Sequence, residues 1–214
     1  MTSLSEQVHE KLRRAIILGQ YPQGSRLPEV ELAKDLNASR VPLREALPRL
    51  EVEGFVRTNP RRSAVVETWT PAAVTELFDV RLAIEVPAAG MAARRIAEGR
   101  TAEELRSAMD GSDRELDRRR PDAYRVAETS TALHEAIVAT TDNRLLLSLM
   151  HAVAGRILWL FYLTSRRDAR TACAEHHDLV DAVTSGNSRL AESIAYAHIE
   201  RGREPSLEAM TANA

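Results

Sequence analysis

Along most of the chain apolar positions recur every three to four residues, the period of an amphipathic helix; they alternate strictly in one short region only. Val8, Leu12, Ala15 and Ile16 form the inward stripe of a helix over 5–18, which Gly19 ends. Pro22 and Gly24 then make a turn. Val30, Leu32, Ala33 and Leu36 mark a second helix. After a break at 37–39, Ser39 stands where an N-cap belongs and Pro42 falls in the first turn of a third helix, whose stripe is Leu43, Ala46, Leu47 and Leu50. Residues 55–58 and 64–67 alternate like two short strands around the loop 59–63. Two short helices on a tight turn, followed by a hairpin, predict a winged helix-turn-helix over 1–68.

Beyond residue 68 the strand signal disappears. Thr70 as N-cap, Pro71 at the first helical position and a staple of Trp69 on Val74 open a long helix, in which Pro87 is expected to make a kink. Further helices are expected over 101–118 (Thr101 and Glu104 as a capping box), 122–139, 143–164, 168–184 and 188–200, with Gly186 and Asn187 separating the last two. Helices of this length on short connections pack as an antiparallel bundle. The expected fold class is therefore mainly α: an N-terminal winged helix-turn-helix followed by an all-α antiparallel helical bundle over 69–214.

Composition changes this picture little, and charge sharpens it. A 4% aromatic content favours helix over sheet. The chain carries a net charge of −2, but up to Glu67 it has 11 Lys and Arg against 9 Asp and Glu, leaving 18 against 22 for the rest. Position matters more than the sum: Arg40, Arg44, Arg49, Arg57, Arg61 and Arg62 all fall in the first part. Arg40 and Arg44, four residues apart, share the outer face of the third helix, where a recognition helix carries its base- and phosphate-contacting side chains. Arg61 and Arg62 stand at the hairpin tip, from which a wing reaches phosphates or a minor groove.

The single cysteine, Cys173, has no intrachain disulfide partner, and no leader pattern opens the chain. The expected location is the cytoplasm, at the nucleoid. The longest apolar run, 157–163, is too short to span a bilayer and reads as core or interface, so no membrane partner is expected.

In the bundle the informative residues are histidines. His134 shares a stripe with Val126, Ser130, Leu133 and Ile137; His176 with Ala172, Leu179, Val180 and Val183; His198 with Leu190, Ile194, Ala197 and Arg201. All three point inward, whereas His177 points away. At ~1.5 Å per residue, His176 and His198 both stand roughly 15 to 18 Å from the bend at Gly186, so they are level. Inward imidazoles from facing helices suit a divalent transition metal, or equally a hydrogen-bonded core. Arg81 lies on an otherwise apolar stripe with Leu77, Phe78 and Glu85; it either pairs with Glu85 at i,i+4 or clamps a ligand carboxylate. Arg156, within the leucine-rich helix, is a similar candidate.

Two resemblances follow from these residues. The pattern PxGxRLxxxxLAxxLxxSRxPLREALxxLExEGF, spelled over 22–55, resembles the winged-helix domain of the GntR family of bacterial transcription regulators. It implies operator binding through Ser39, Arg40, Arg44 and Arg49, with Arg61 and Arg62 on the wing. A homodimer is expected, reading a palindrome in double-stranded DNA. Ser63 stands where the family's wing carries Gly; Val30 and Val41 replace polar or small residues, so the operator is expected to differ. The second set is Arg81 to Glu85 with Ala88 and Ala89, Leu133-His134, Glu175-His176 with Asp181-Ala182, and Ala197-His198. It is similar to the FCD ligand-binding domain of the FadR-like branch, in which one Asp and three His hold a divalent metal beneath a small carboxylate.

That second resemblance implies His134, His176 and His198 as ligands to Zn, Ni or Mn, and Arg81, Ser130 and Arg156 beside the bound carboxylate. The family's Asp position, four residues before the first His, is Ser130 here, and losing that carboxylate is expected to weaken the metal. The function expected is a metabolite-controlled transcription repressor and not an enzyme. Two alternatives stay open: a hydrolytic zinc enzyme built on the three histidines, and an architectural DNA-binder without a ligand cavity.

Overall fold

The computed structural model describes residues 3–58, 63–164 and 169–211. The chain divides into two compact units, Met1–Trp69 and Thr70–Ala214.

In the first unit, α1 (Leu4–Ile17) begins at Ser3, whose hydroxyl accepts the Glu6 N–H. Its stripe Val8, Leu12, Ala15 and Ile16 is buried, as is Ile17, and the helix packs on α3. Between α2 (Glu29–Asp35) and α3 (Arg40–Val52) the chain turns through Asn37 at φ 49°, a left-handed conformation that Asn tolerates better than most residues. Leu43, Ala46 and Leu50 are fully sequestered beneath α3, each large side chain stabilising the unit by roughly 1.5 to 3 kcal/mol. That burial fixes which face of α3 looks outward. The hairpin pairs β2 (Val56–Arg57) with β3 (Ala64–Val66), Val56 opposite Val66. A third strand, β1 (Arg26–Leu27), pairs with the other edge of β3, giving the order β1-β3-β2. Two residues are too few to show alternation, which is why the sequence pattern does not reveal β1.

The second unit is built from α4 (Pro71–Ala97), α5 (Glu103–Leu116), α6 (Ala123–Thr140), α7 (Arg144–Leu163), α8 (Ala169–Thr184) and α9 (Ser188–Thr211). Thr70 caps α4 by accepting the Ala73 N–H, and the helix continues through Pro87. α4 lies against α9, and at Gly90 a Cβ would meet the Glu192 side chain, which would have to swing away to admit it. Ala89, Ala92 and Ala93 of α4 join Leu133, Ile137, Leu179, Val183, Ala191 and Ala195 in one core.

Two details differ from the sequence pattern. Thr101 and Glu104 form no capping box: α5 starts two residues later, and the Thr101 hydroxyl instead accepts the Glu103 N–H. α9 extends to Thr211 through Pro205, well past residue 200, because Met210 and Ser206 remain buried. The seven-residue apolar run lies within the helix expected over 143–164, which is α7; that helix is long and apolar enough by length and composition alone to cross a membrane. The C-terminal half of α7 is buried nearly all round, through Ile157, Leu158, Trp159 and Leu160, while Leu145 and Leu149 in its N-terminal half are exposed.

Candidate functional site

Two places gather the chemistry. On the first unit, Arg40 and Arg44 project from the start of α3 and are more than half exposed. Glu29, at the start of α2, reaches both: its Oε2 is 2.8 Å from Arg44 Nε and 3.5 Å from Arg40. Sequence reasoning missed this shared acceptor, because a contact across fifteen residues has no periodic signal. Ser39 occupies the N-cap position and is exposed, with no side-chain capping hydrogen bond. Val30 and Val41 are exposed as well, 69% and 67%.

Arg49 does not join this face. Nine residues after Arg40, it is turned by about 180° around the helix, and it is close enough to buried His9 on α1 to oppose that imidazole's protonation. The Glu10 and Glu53 carboxylates beside His9 outweigh this and raise its pKa. Arg61 and Arg62 lie outside the described residues.

On the second unit, the three histidines converge. His134 on α6, His176 on α8 and His198 on α9 are all buried, and their ring centroids lie 5.2 Å (134–176), 5.3 Å (134–198) and 4.8 Å (176–198) apart. One nitrogen from each falls within 4.8 Å of the others. Two of the rings are held from behind by carboxylates: His134 Nδ1 is 2.7 Å from Glu85 Oε2, and His198 Nδ1 is 3.0 Å from Glu175 Oε2. Such a carboxylate on Nδ1 orients the ring and leaves Nε2 as the outward-facing nitrogen. His134 Nε2 is buried with no hydrogen-bond partner among the described residues. A buried nitrogen without a partner is costly, and a cation would satisfy it. The donor set therefore fits a divalent ion after small side-chain rotations.

Glu85 also binds Arg81, with Nε at 2.7 Å and Nη2 at 3.3 Å. Burial alone would raise the Glu85 carboxyl, but the Arg81 guanidinium and His134 outweigh burial and hold it well below the usual carboxylate range. The Arg81 guanidinium is sandwiched between Phe78 and Phe161, 5.3 and 5.0 Å from the ring centroids. His198 is also lowered, but for an imidazole this favours the neutral form: burial, then the neighbouring charges of His134 and Arg81, push it down to about 4 against the pull of Glu175.

Beside the histidines opens a cavity of about 500 Å³. Arg81, Ser130, His176 and His198 form its wall, with Arg118, Arg119 and Arg170 also lining it. His134 is not on that wall; it borders a small adjoining void with Glu85 and His198. Arg156 is half-buried on α7 and is not part of the cavity wall, so the reading of Arg156 as a ligand-binding residue is not supported by its position. Glu175 carries no periodic signal that marks it as a site residue; its role as the carboxylate behind His198 depends on the α8–α9 packing.

Comparison with known proteins agrees across both units. Residues 4–66 match the description of bacterial regulatory proteins of the gntR family, and residues 76–201 match the FCD domain. An HTH-type transcriptional regulator from the TAR-I ttuE-ttuC' intergenic region of Agrobacterium vitis is 35% identical over 89 residues, 42% of this chain and half the length of that protein. A protein of Paenarthrobacter nicotinovorans, named as a probable D-xylose utilization operon transcriptional repressor, is 26% identical over 208 residues, covering 92% of this chain and 86% of its own. Among solved structures, that of a candidate GntR transcriptional regulator from Rhodococcus sp. RHA1 superposes with a TM-score of 0.78 at 24% identity, over 97% of this chain and 99% of that one.

Proposed function

We propose that this chain, which belongs to the gntR family of bacterial regulatory proteins and is a transcription regulator with an FCD domain, is a homodimeric repressor released from its operator by a small carboxylate. In this reading Arg40 and Arg44 contact bases and phosphates from the start of α3, Ser39 contacts the backbone, and exposed Val41 offers an apolar surface to a thymine methyl group. Before DNA arrives, Glu29 holds both arginines extended; on the operator, phosphate oxygens replace it. Two heads reading half-sites about one duplex turn apart require a dimer, and the outward leucines of α7, Leu145 and Leu149, supply an apolar surface for it. The working location is the cytoplasm.

The observation that carries the effector reading is the convergence of three buried imidazoles beside a cavity that also contains Arg81. His134, His176 and His198 would hold a divalent ion, which supplies Lewis acidity toward an oxygen ligand. Arg81 and Ser130 would then bind and orient a carboxylate from the chain's side. A catalytic role receives no such support: Glu85 and Glu175, the carboxylates nearest the histidines, are engaged behind His134 and His198 and are not placed as general bases.

Elemental analysis of the purified full chain, before and after chelation and with a thermal melt alongside, tests the reading. About one equivalent of Zn²⁺, Ni²⁺ or Mn²⁺ that His134→Ala removes, with a melting temperature that falls on chelation, is expected. A protein with no ion bound even after incubation with each metal, and no thermal shift with small carboxylates, would overturn it.

A further inference from the structure

Adjacent to His176 in sequence, His177 faces the opposite way, and there it meets two other metal-competent side chains. His177 Nε2 lies 3.0 Å from Asp113 Oδ1, and Cys173 Sγ lies 3.3 Å from the same oxygen. Cys173 and His177 are four residues apart on α8, so they sit one above the other on one face, and α5 brings Asp113 opposite both. Their sulfur, nitrogen and oxygen all fall within 4.8 Å of one another.

We propose that Asp113, Cys173 and His177 form a second divalent-metal site, separate from the buried histidine triad, that takes Zn²⁺ or a similar borderline ion with water in the fourth position. The spacing is near what such an ion needs. With metal bonds of about 2.0 Å to N and O and about 2.3 Å to S, the tetrahedral edges are about 3.3 Å for N to O and about 3.5 Å for S to O. Both observed separations are within a few tenths of an ångström of these. Burial, then the Asp113 carboxylate, push the free Cys173 thiol up to about 12, so an ion binds here by displacing that proton; the resulting thiolate and the carboxylate neutralise a dication, and the neutral imidazole adds none. Cys173 is buried, whereas the side chains of His177 and Asp113 are 51% and 38% exposed. One flank is therefore sheltered and the other gives an ion and its water a way in. The same two helices border the effector cavity through Leu116 on α5 and Ala172 and His176 on α8, so an ion here ties one part of that wall together.

Sulfur makes this site distinguishable from the triad, which has none. The full chain, reduced and stripped by a chelator, is titrated with Co²⁺, and the near-ultraviolet thiolate-to-cobalt charge-transfer band is followed. A saturable band is expected that Zn²⁺ displaces, that Cys173→Ser abolishes, and that His177→Ala and Asp113→Asn each weaken at least about tenfold in apparent affinity. His134→Ala, which touches only the triad, is expected to retain it. Circular dichroism of each variant separates loss of the site from loss of the fold. Absence of the band in the reduced wild-type chain overturns the proposal. So does a band of undiminished affinity in His177→Ala and Asp113→Asn, since it would report a thiol binding cobalt alone.

Discussion

His134 Nδ1 lies 2.7 Å from Glu85 Oε2, and the same carboxylate group accepts two hydrogen bonds from Arg81, so one buried glutamate joins a candidate metal ligand to a cavity-lining cation. α4 supplies both charges of the pair one turn apart, and α6 delivers the histidine to them. Neutralising Glu85 would leave Arg81 buried without its counter-ion. Glu85→Gln is expected to destabilise the second unit by about 3 to 5 kcal/mol. It should also weaken metal at the triad about 10- to 100-fold. Chemical denaturation and competition against a chromophoric chelator measure the two effects; wild-type stability would mean that the pair contributes nothing net.

On the DNA side, Arg44 and Arg49 make a contrast that the helix geometry dictates. Arg44→Ala is expected to weaken operator binding by about 1 to 3 kcal/mol, roughly 5- to 150-fold, with an unchanged melting temperature. Arg49→Ala, on the far side of α3, is expected to leave affinity within about twofold. Fluorescence anisotropy on an operator recovered by selection from genomic fragments gives both numbers. Equal losses in the two variants would remove the distinction between the faces.

The depressed His198 gives the metal-stripped protein a pH dependence. In the folded state this imidazole titrates near 4, against 6.5 in the unfolded chain. Between those values the unfolded chain holds the extra proton, so stability rises with pH. The contribution is fully present above about 6.5 and is lost as pH falls toward 4, amounting to ~3 kcal/mol. Urea midpoints at pH 7 and pH 4.5 should therefore differ more for the wild-type chain than for His198→Gln. A parallel pH response in both would assign the effect elsewhere.

Ser130 stands one turn before His134 and on the cavity wall, where a carboxylate could add a charged ligand. Ser130→Asp is expected to tighten metal at the triad at least about tenfold. An affinity equal to wild type would show that the position does not reach the ion.

Much of this was legible in the chain itself. The helical stripes, the capping residue Thr70, and the outward placement of Arg40 and Arg44 depend on periods of a few residues, and local sterics enforce those periods. The inward orientation of His134, His176 and His198 follows from the same periodicity, and the level depths of His176 and His198 follow from counting out from the Gly186 turn. A short strand such as Arg26–Leu27 has too few residues to show a period, and the end of α9 depends on what covers Met210 rather than on a local stop signal.

The sequence by itself determined which residues face inward, where most helices start, and the family to which the two halves belong, because those properties repeat within one or two turns of backbone. Tertiary packing alone decided which residues meet. Glu175 stands behind His198, Glu29 bridges Arg40 and Arg44, Asp113 joins Cys173 to His177, and Arg156 stays off the cavity wall. Each of these depends on the relative rotation and height of two separate elements, fixed by burial and close packing across the whole core, as where Gly90 admits Glu192.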